Sequence, residues 1–121
     1  MINWIAIFIG GGIGSLCRYG ISRFVMNFSQ SVFPTATLIA NLVSCIILGL
    51  TLAIFLPKME GNEWLKPLIV IGFCGGFSTF STFSLETLQL LKMGNIAFAG
   101  INIAVSILLC TGVLALIVKN G

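Results

Sequence analysis

Histidine is absent from this chain of 121 residues, and only 7% of its residues are charged. Without an imidazole there is no His-dependent catalytic triad and no His-ligated metal. Soluble domains carry about a quarter charged residues, so a chain this poor in charge does not face water over most of its surface. The four cysteines, Cys17, Cys45, Cys74 and Cys110, stand one per apolar segment and never in a CxxC spacing. That pattern gives neither a zinc site nor a disulfide framework, and leaves the thiols to be read as small buried hydrophobes. Strand-sized alternating segments are missing, which argues against a β-barrel. No basic cluster precedes the first apolar run. It is also too long for a signal-peptide core, so it is expected to remain as a helix.

What is present is apolar. Hydrophobic residues make up 58% of the chain, and the mean hydropathy is +1.14. Four segments, 3–28, 33–56, 65–91 and 96–118, each meet the roughly 20 residues that cross a hydrocarbon core. They predict an all-α, multi-pass membrane protein with one four-helix domain over residues 1–121. With four spans, Lys58, Lys66 and Lys119 fall on one side, and Arg18, Arg23 and Lys92 on the other. Three against three leaves no Lys/Arg bias to fix an orientation, which permits dual topology and antiparallel pairing. No nucleic-acid partner is expected; lipid and a second copy of the chain are.

The unusual stretch is Gly75-Gly76-Phe77-Ser78-Thr79-Phe80-Ser81-Thr82-Phe83-Ser84, in the third span. Glycine is a weak helix former, and Ser and Thr compete for the backbone ladder, so a break is predicted over residues 75–79. Unwound backbone at membrane depth persists only inside protein or along a cavity. Freed carbonyls there suit a cation; hydroxyls and ring edges suit an anion. Phe80 and Phe83 share a face that Thr87 continues, and an aromatic edge is positive, so the pair reads either as an anion path or as plain packing. Glu86 is the one carboxylate in any span, and intramembrane ionisable groups are functional candidates.

The other spans each carry a small or polar face. Gly10 and Gly14 form a GxxxG pair, with Gly11 and Ser15 beside them, which favours close helix packing; Arg18 follows one turn later. Arg18 either snorkels to the interface or faces a wet vestibule. Pro34 suits a first helical turn, and Pro57 a stop. Thr37, Asn41, Ser44 and Leu48 lie on one face of the second span, where Asn41 serves as helix glue or as an anion donor. Asn102, Ser106 and Cys110 recur every four residues on the fourth span, a stripe that faces protein or water.

These motifs resemble those of the small bacterial fluoride channels of the Fluc (CrcB) family, over the whole chain. The resemblance rests on the run from Gly11 to Tyr19 with Arg18, on Thr37-Leu38-Ile39-Ala40-Asn41, and above all on the run from Gly75 to Phe83. It implies an antiparallel homodimer with two pores, passively exporting cytoplasmic fluoride across the bacterial inner membrane and conferring fluoride resistance. By position it implies Phe80 and Phe83 as pore rings, Asn41 as a fluoride-coordinating amide, and Ser81 and Thr82 as hydroxyls along the path. Arg18 would stand by the vestibule, and Glu86 looks like a family position; Ser44 and Ser106 are further candidates from the polar faces of their own spans. It also implies a structural sodium ion at the dimer interface, held by the backbone carbonyls of Gly75 and Ser78. At Asn102 the sequence departs from the aromatic found in some relatives. No catalytic group is required, so the chain is read as a channel rather than an enzyme.

Two other classes share these dimensions. A proton-coupled small multidrug exporter depends on a glutamate in its first helix, and the first span here has no acidic residue. A non-transporting membrane scaffold would use every polar face for packing alone.

Overall fold

The computed structural model describes residues 1–28, 33–55, 61 and 63–120. Among the described residues the four expected spans are built by α1 (Ile2–Phe28), α2 (Thr35–Leu50), α3 (67–77), α4 (Phe80–Lys92) and α5 (Ile96–Asn120). The second span continues beyond α2 through a wider, π-wound turn at Thr51–Phe55, and α3 is π-wound over Pro67–Cys74 before tightening at Gly75–Phe77. No strand occurs among the described residues. The helices long and apolar enough to cross a membrane are Ile2–Phe28, Thr35–Ile54, Pro67–Lys92 and Ile96–Lys119, the third counted through its break. The expected stop at Pro57, and Lys58 and Glu60 beyond it, lie outside the described residues.

Sequence explains the boundaries. Pro67 sits in the first turn of α3, where its missing N–H costs nothing. The turn between α4 and α5 is a Schellman motif: Asn95 N–H donates to the Leu90 carbonyl at 2.8 Å and Gly94 N–H to that of Leu91 at 3.0 Å. Gly94 adopts φ +79°, open to glycine at little steric cost. This tight link lays α5 back against α4 and, further along, against α2.

The glycine face of α1 packs on α3. A Cβ at Gly10 would collide with the Leu68 carbonyl oxygen, and one at Gly14 with that of Phe73. On the facing helix, a Cβ at Gly76 would lie 2.5 Å from the Gly11 carbonyl oxygen. The GxxxG expectation is met as backbone-on-backbone contact within the chain, the use such motifs serve where lipid supplies no hydrophobic drive. The outer surface stays apolar: Phe8, Leu16, Phe24, Leu108 and Leu116 are all exposed, and only 11% of the most apolar window of α5 is buried. Such a protomer needs lipid or a second apolar partner around it.

Candidate functional site

The break in the third span is two residues wide. Ser78 (φ −80°, ψ 157°) and Thr79 (φ −150°, ψ 119°) are extended, whereas Gly75 remains helical at φ −64°, ψ −37°. The break is therefore narrower than residues 75–79 and sits at the far end of that window. Its cause is side-chain competition for backbone groups. Both the hydroxyl and the N–H of Ser78 donate to the Cys74 carbonyl, at 2.8 and 3.0 Å, and Ser44 donates to the same oxygen at 3.2 Å. Thr79 then caps α4, its Oγ1 accepting the Thr82 N–H at 3.2 Å. Extended dihedrals and a hydroxyl acceptor are what an N-cap requires.

Two residues from other helices hold the break open. Thr79 N–H, which would bond the Gly75 carbonyl in a continuous α-helix, instead donates to Asn41 Oδ1 at 2.9 Å. Asn41 Nδ2 donates back to the Thr79 carbonyl at 3.5 Å, so one amide clasps both polar groups of one residue. Arg18 Nε donates to the Gly76 carbonyl at 3.2 Å. Arg18 thus turns inward to the break rather than out to the interface. It sets positive charge against the negative C-terminal end of α3, while the positive N-terminal end of α4 opens on the other side. With Thr82 N–H committed to Thr79 Oγ1, the Ser78 carbonyl loses its helical donor, as the Gly75 carbonyl does.

Around the break lies an open-sided cleft of about 320 Å³, lined by Asn41, Cys45, Ser78, Thr79, Phe80, Phe83, Ser106 and Cys110, among others. It brings Asn41, Phe80, Phe83 and Ser106 together from three spans, as the polar faces suggested. The two rings stand 5.8 Å apart between centroids and are tilted by 42°. Phe80 is 79% exposed, so its ring stands clear of the packing of this chain. A second, smaller cavity of about 90 Å³ is lined by Arg18, Tyr19, Ser22, Thr37, Thr79 and Thr82. A third, of about 250 Å³, has Ser22, Thr35, Glu86 and Gln89 in its wall. Thr79 is common to the first two, and Ser22 with Ala36 to the last two. Each cavity thus shares a wall residue with the next, in a series from the break toward the end of the bundle where α1 stops and α2 begins.

Some candidates do structural duty. Ser44 is buried and spends its hydroxyl on the α2–α3 joint, outside the lining of the cleft. Ser106 donates its single proton to Asn102 Oδ1 at 3.3 Å. Asn102 Nδ2 in turn donates to Thr87 Oγ1 at 3.0 Å, and Thr87 donates to the Phe83 carbonyl at 2.8 Å. Asn102, 1% exposed, is the centre of this relay, which fixes the backbone beneath the Phe83 ring. Ser81 is exposed, with its Oγ 3.4 Å from Thr79 Oγ1. Glu86 is half-buried, and its Oε1 is the one buried side-chain oxygen or nitrogen without a hydrogen-bond partner among the described residues. Thr79 was not singled out by sequence, although its place before the restart of α4 is an N-cap signal.

Comparison with known proteins follows the same lines. A family model described as CrcB-like protein, Camphor Resistance (CrcB), matches residues 5–118. The chain is 42% identical over 121 residues to a "Fluoride-specific ion channel FluC 1" of Yersinia pestis, covering 97% of this chain and 93% of the relative. It is 42% identical over 109 residues to a "Fluoride-specific ion channel FluC" of Magnetococcus marinus, covering 90% and 87%. A protein of the same name from Coxiella burnetii is 37% identical over 110 residues, covering 90% and 89%.

Proposed function

This chain belongs to the CrcB-like protein family, and from that premise we infer that it is a fluoride-specific ion channel of the bacterial inner membrane. The observation that carries this reading is the cleft in which the Asn41 amide, the Phe80 and Phe83 rings and the restarted α4 converge at membrane depth. Fluoride is small and holds water tightly, so a pore must replace that water with aligned donors. Those available are the second N–H of Asn41 Nδ2, one of the two paired hydroxyls of Thr79 and Ser81, and the Phe80 and Ser81 amides that open α4, the Thr82 amide being bonded to Thr79. Ring edges of Phe80 and Phe83 add a weaker positive lining. The proton of Ser106 is committed to Asn102, so Ser106 acts by holding the wall.

Hydrogen fluoride crosses bilayers uncharged and dissociates in a less acidic cytoplasm. A passive pore lets the anion leave down its gradient, assisted by the negative interior. No nucleophile, base or coupling carboxylate is required. The exporter reading gains no support, because α1 lacks an acidic residue.

The working unit we propose is an antiparallel homodimer with two pores, each completed by the partner. The outward Phe80 ring and the apolar exterior support it. A sodium ion at the dimer axis would be held by the carbonyls of Gly75 and Ser78. Both have lost their ladder donors to Asn41 and Thr79, and Gly75 is exposed with open space around it. These neutral oxygens suit a hard monovalent cation, and its role when bound would be to join the half-helix ends of two subunits.

Growth tests this function. In a bacterium lacking its own fluoride export, the wild-type chain is expected to restore growth in fluoride, and Phe80→Ile is expected not to. The exposed ring contributes little to protomer stability, within about 0.5 kcal/mol for a surface site. Loss of the ring's positive edge from the path is expected to slow flux about ten-fold, which corresponds to about 1.4 kcal/mol in the barrier. Equal resistance from Phe80→Ile would leave the scaffold reading ahead.

A further inference from the structure

The sequence spaces Cys45 and Cys110 far apart, on different spans, yet the fold brings them together. Cys45 lies on α2 and Cys110 on α5, two helices in direct contact. Both are half-buried free thiols and both line the cleft that holds Asn41, Phe80, Phe83 and Ser106. The two thiols are neighbours across the α2–α5 contact. Cys74 is fully buried and Cys17 lies on the exposed surface of α1, so neither shares that cleft. Among the described residues no third Cys, His or acidic side chain joins the pair to make a three-ligand site.

Two adjacent thiols without a third ligand suit a soft, two-coordinate d10 cation such as copper(I), silver(I) or mercury(II), and do not suit zinc, which asks for four ligands. We propose that Cys45 and Cys110 form a two-thiolate site for such a cation in the wall of the conduction cleft, and that loading it blocks fluoride passage. The block rests on the channel reading above; the metal site does not. With mercuric chloride as probe, two S–H and two Hg–Cl bonds break and two S–Hg bonds form. Two protons and two chlorides go to water, and no electron is transferred. The bridged product is neutral, which avoids placing a net charge in a low-dielectric span. A metal spanning α2 and α5 also fixes the two helices beside the Phe83 ring, which lines the same cleft.

The test has two readouts on the purified protein in lipid vesicles. The first is the intact mass and free-thiol count after one equivalent of mercuric chloride. One mercury with loss of two thiols is expected in the wild type and in Cys17→Ser, and a bridged product is expected in neither Cys45→Ser nor Cys110→Ser. The second is fluoride efflux against mercury concentration, each protein normalised to its own uninhibited rate. The inhibiting concentration should rise at least about ten-fold in either pair variant, because the second thiolate no longer acts at high effective concentration. The double variant should match the singles, and Cys17→Ser should keep the wild-type midpoint. Bridging that persists without Cys45 or Cys110 overturns the site. An unshifted midpoint in either variant, or full flux from the bridged wild type, overturns the block. A protein that passes no fluoride before mercury is added contradicts the channel reading instead, and the mass readout still decides the site.

Discussion

Asn41→Asp is expected to lower fluoride flux by about 100-fold or more while the protein stays folded. The carboxylate keeps an acceptor for the Thr79 N–H, now held at 2.9 Å by Oδ1, so the extended break persists. What is lost is the donor that reaches the Thr79 carbonyl and the second N–H facing the cleft. What is gained is a negative charge beside an anion path. Two unit charges about 5 Å apart at an effective dielectric of about 20 repel by about 3 kcal/mol, which is about two orders of magnitude in rate. Asn41→Ala should differ in kind, since it leaves the Thr79 N–H without its partner and costs about 1–3 kcal/mol of stability as well. Fluoride efflux and thermal unfolding measured on both variants separate the two effects. Wild-type flux in Asn41→Asp would remove Asn41 from the path and leave it only as the clasp on Thr79.

Gly75→Val is expected to damage assembly and spare the protomer. A Cβ at Gly75 meets nothing within 4 Å inside the chain, and the residue is helical, where valine is favoured over glycine. Any penalty must therefore come from what approaches Gly75 from outside, which in this account is the second subunit and the shared sodium ion. Overpacking a close contact costs about 1–3 kcal/mol, so the dimer dissociation constant should rise about ten-fold or more. Gly14→Val is the contrasting variant, because its side chain would run into the Phe73 carbonyl of the same chain and disrupt α1 against α3. Dimer fraction by cross-linking in vesicles, read beside helix content, distinguishes the cases. An unchanged dimer in Gly75→Val would take Gly75 away from the axis.

Much of the architecture was legible because it rests on local chemistry. Four long apolar runs, the small-residue face at Gly10 and Gly14 and the stripe at Asn102 and Ser106 each follow from composition and period along one segment. The break was legible for the same reason, since Gly75, Gly76, Ser78 and Thr79 weaken a helix wherever they occur together. Its width was not. Whether the chain unwinds at Gly75 or at Ser78 is decided by which backbone groups find partners elsewhere, and those partners are Asn41, 38 residues from Thr79, and Arg18, 58 from Gly76. The same distance in sequence hid the Cys45–Cys110 neighbourhood and the bond to Cys74 that leaves Ser44 in a helix joint.

The central claim is selective, passive movement of fluoride. Vesicles holding the purified protein, loaded with fluoride and chloride together and read with electrodes for each ion, test it most directly. The account predicts rapid loss of fluoride with chloride retained once the membrane potential is released by a potassium ionophore. Retention of both ions by a folded protein, or equal loss of both, would contradict it.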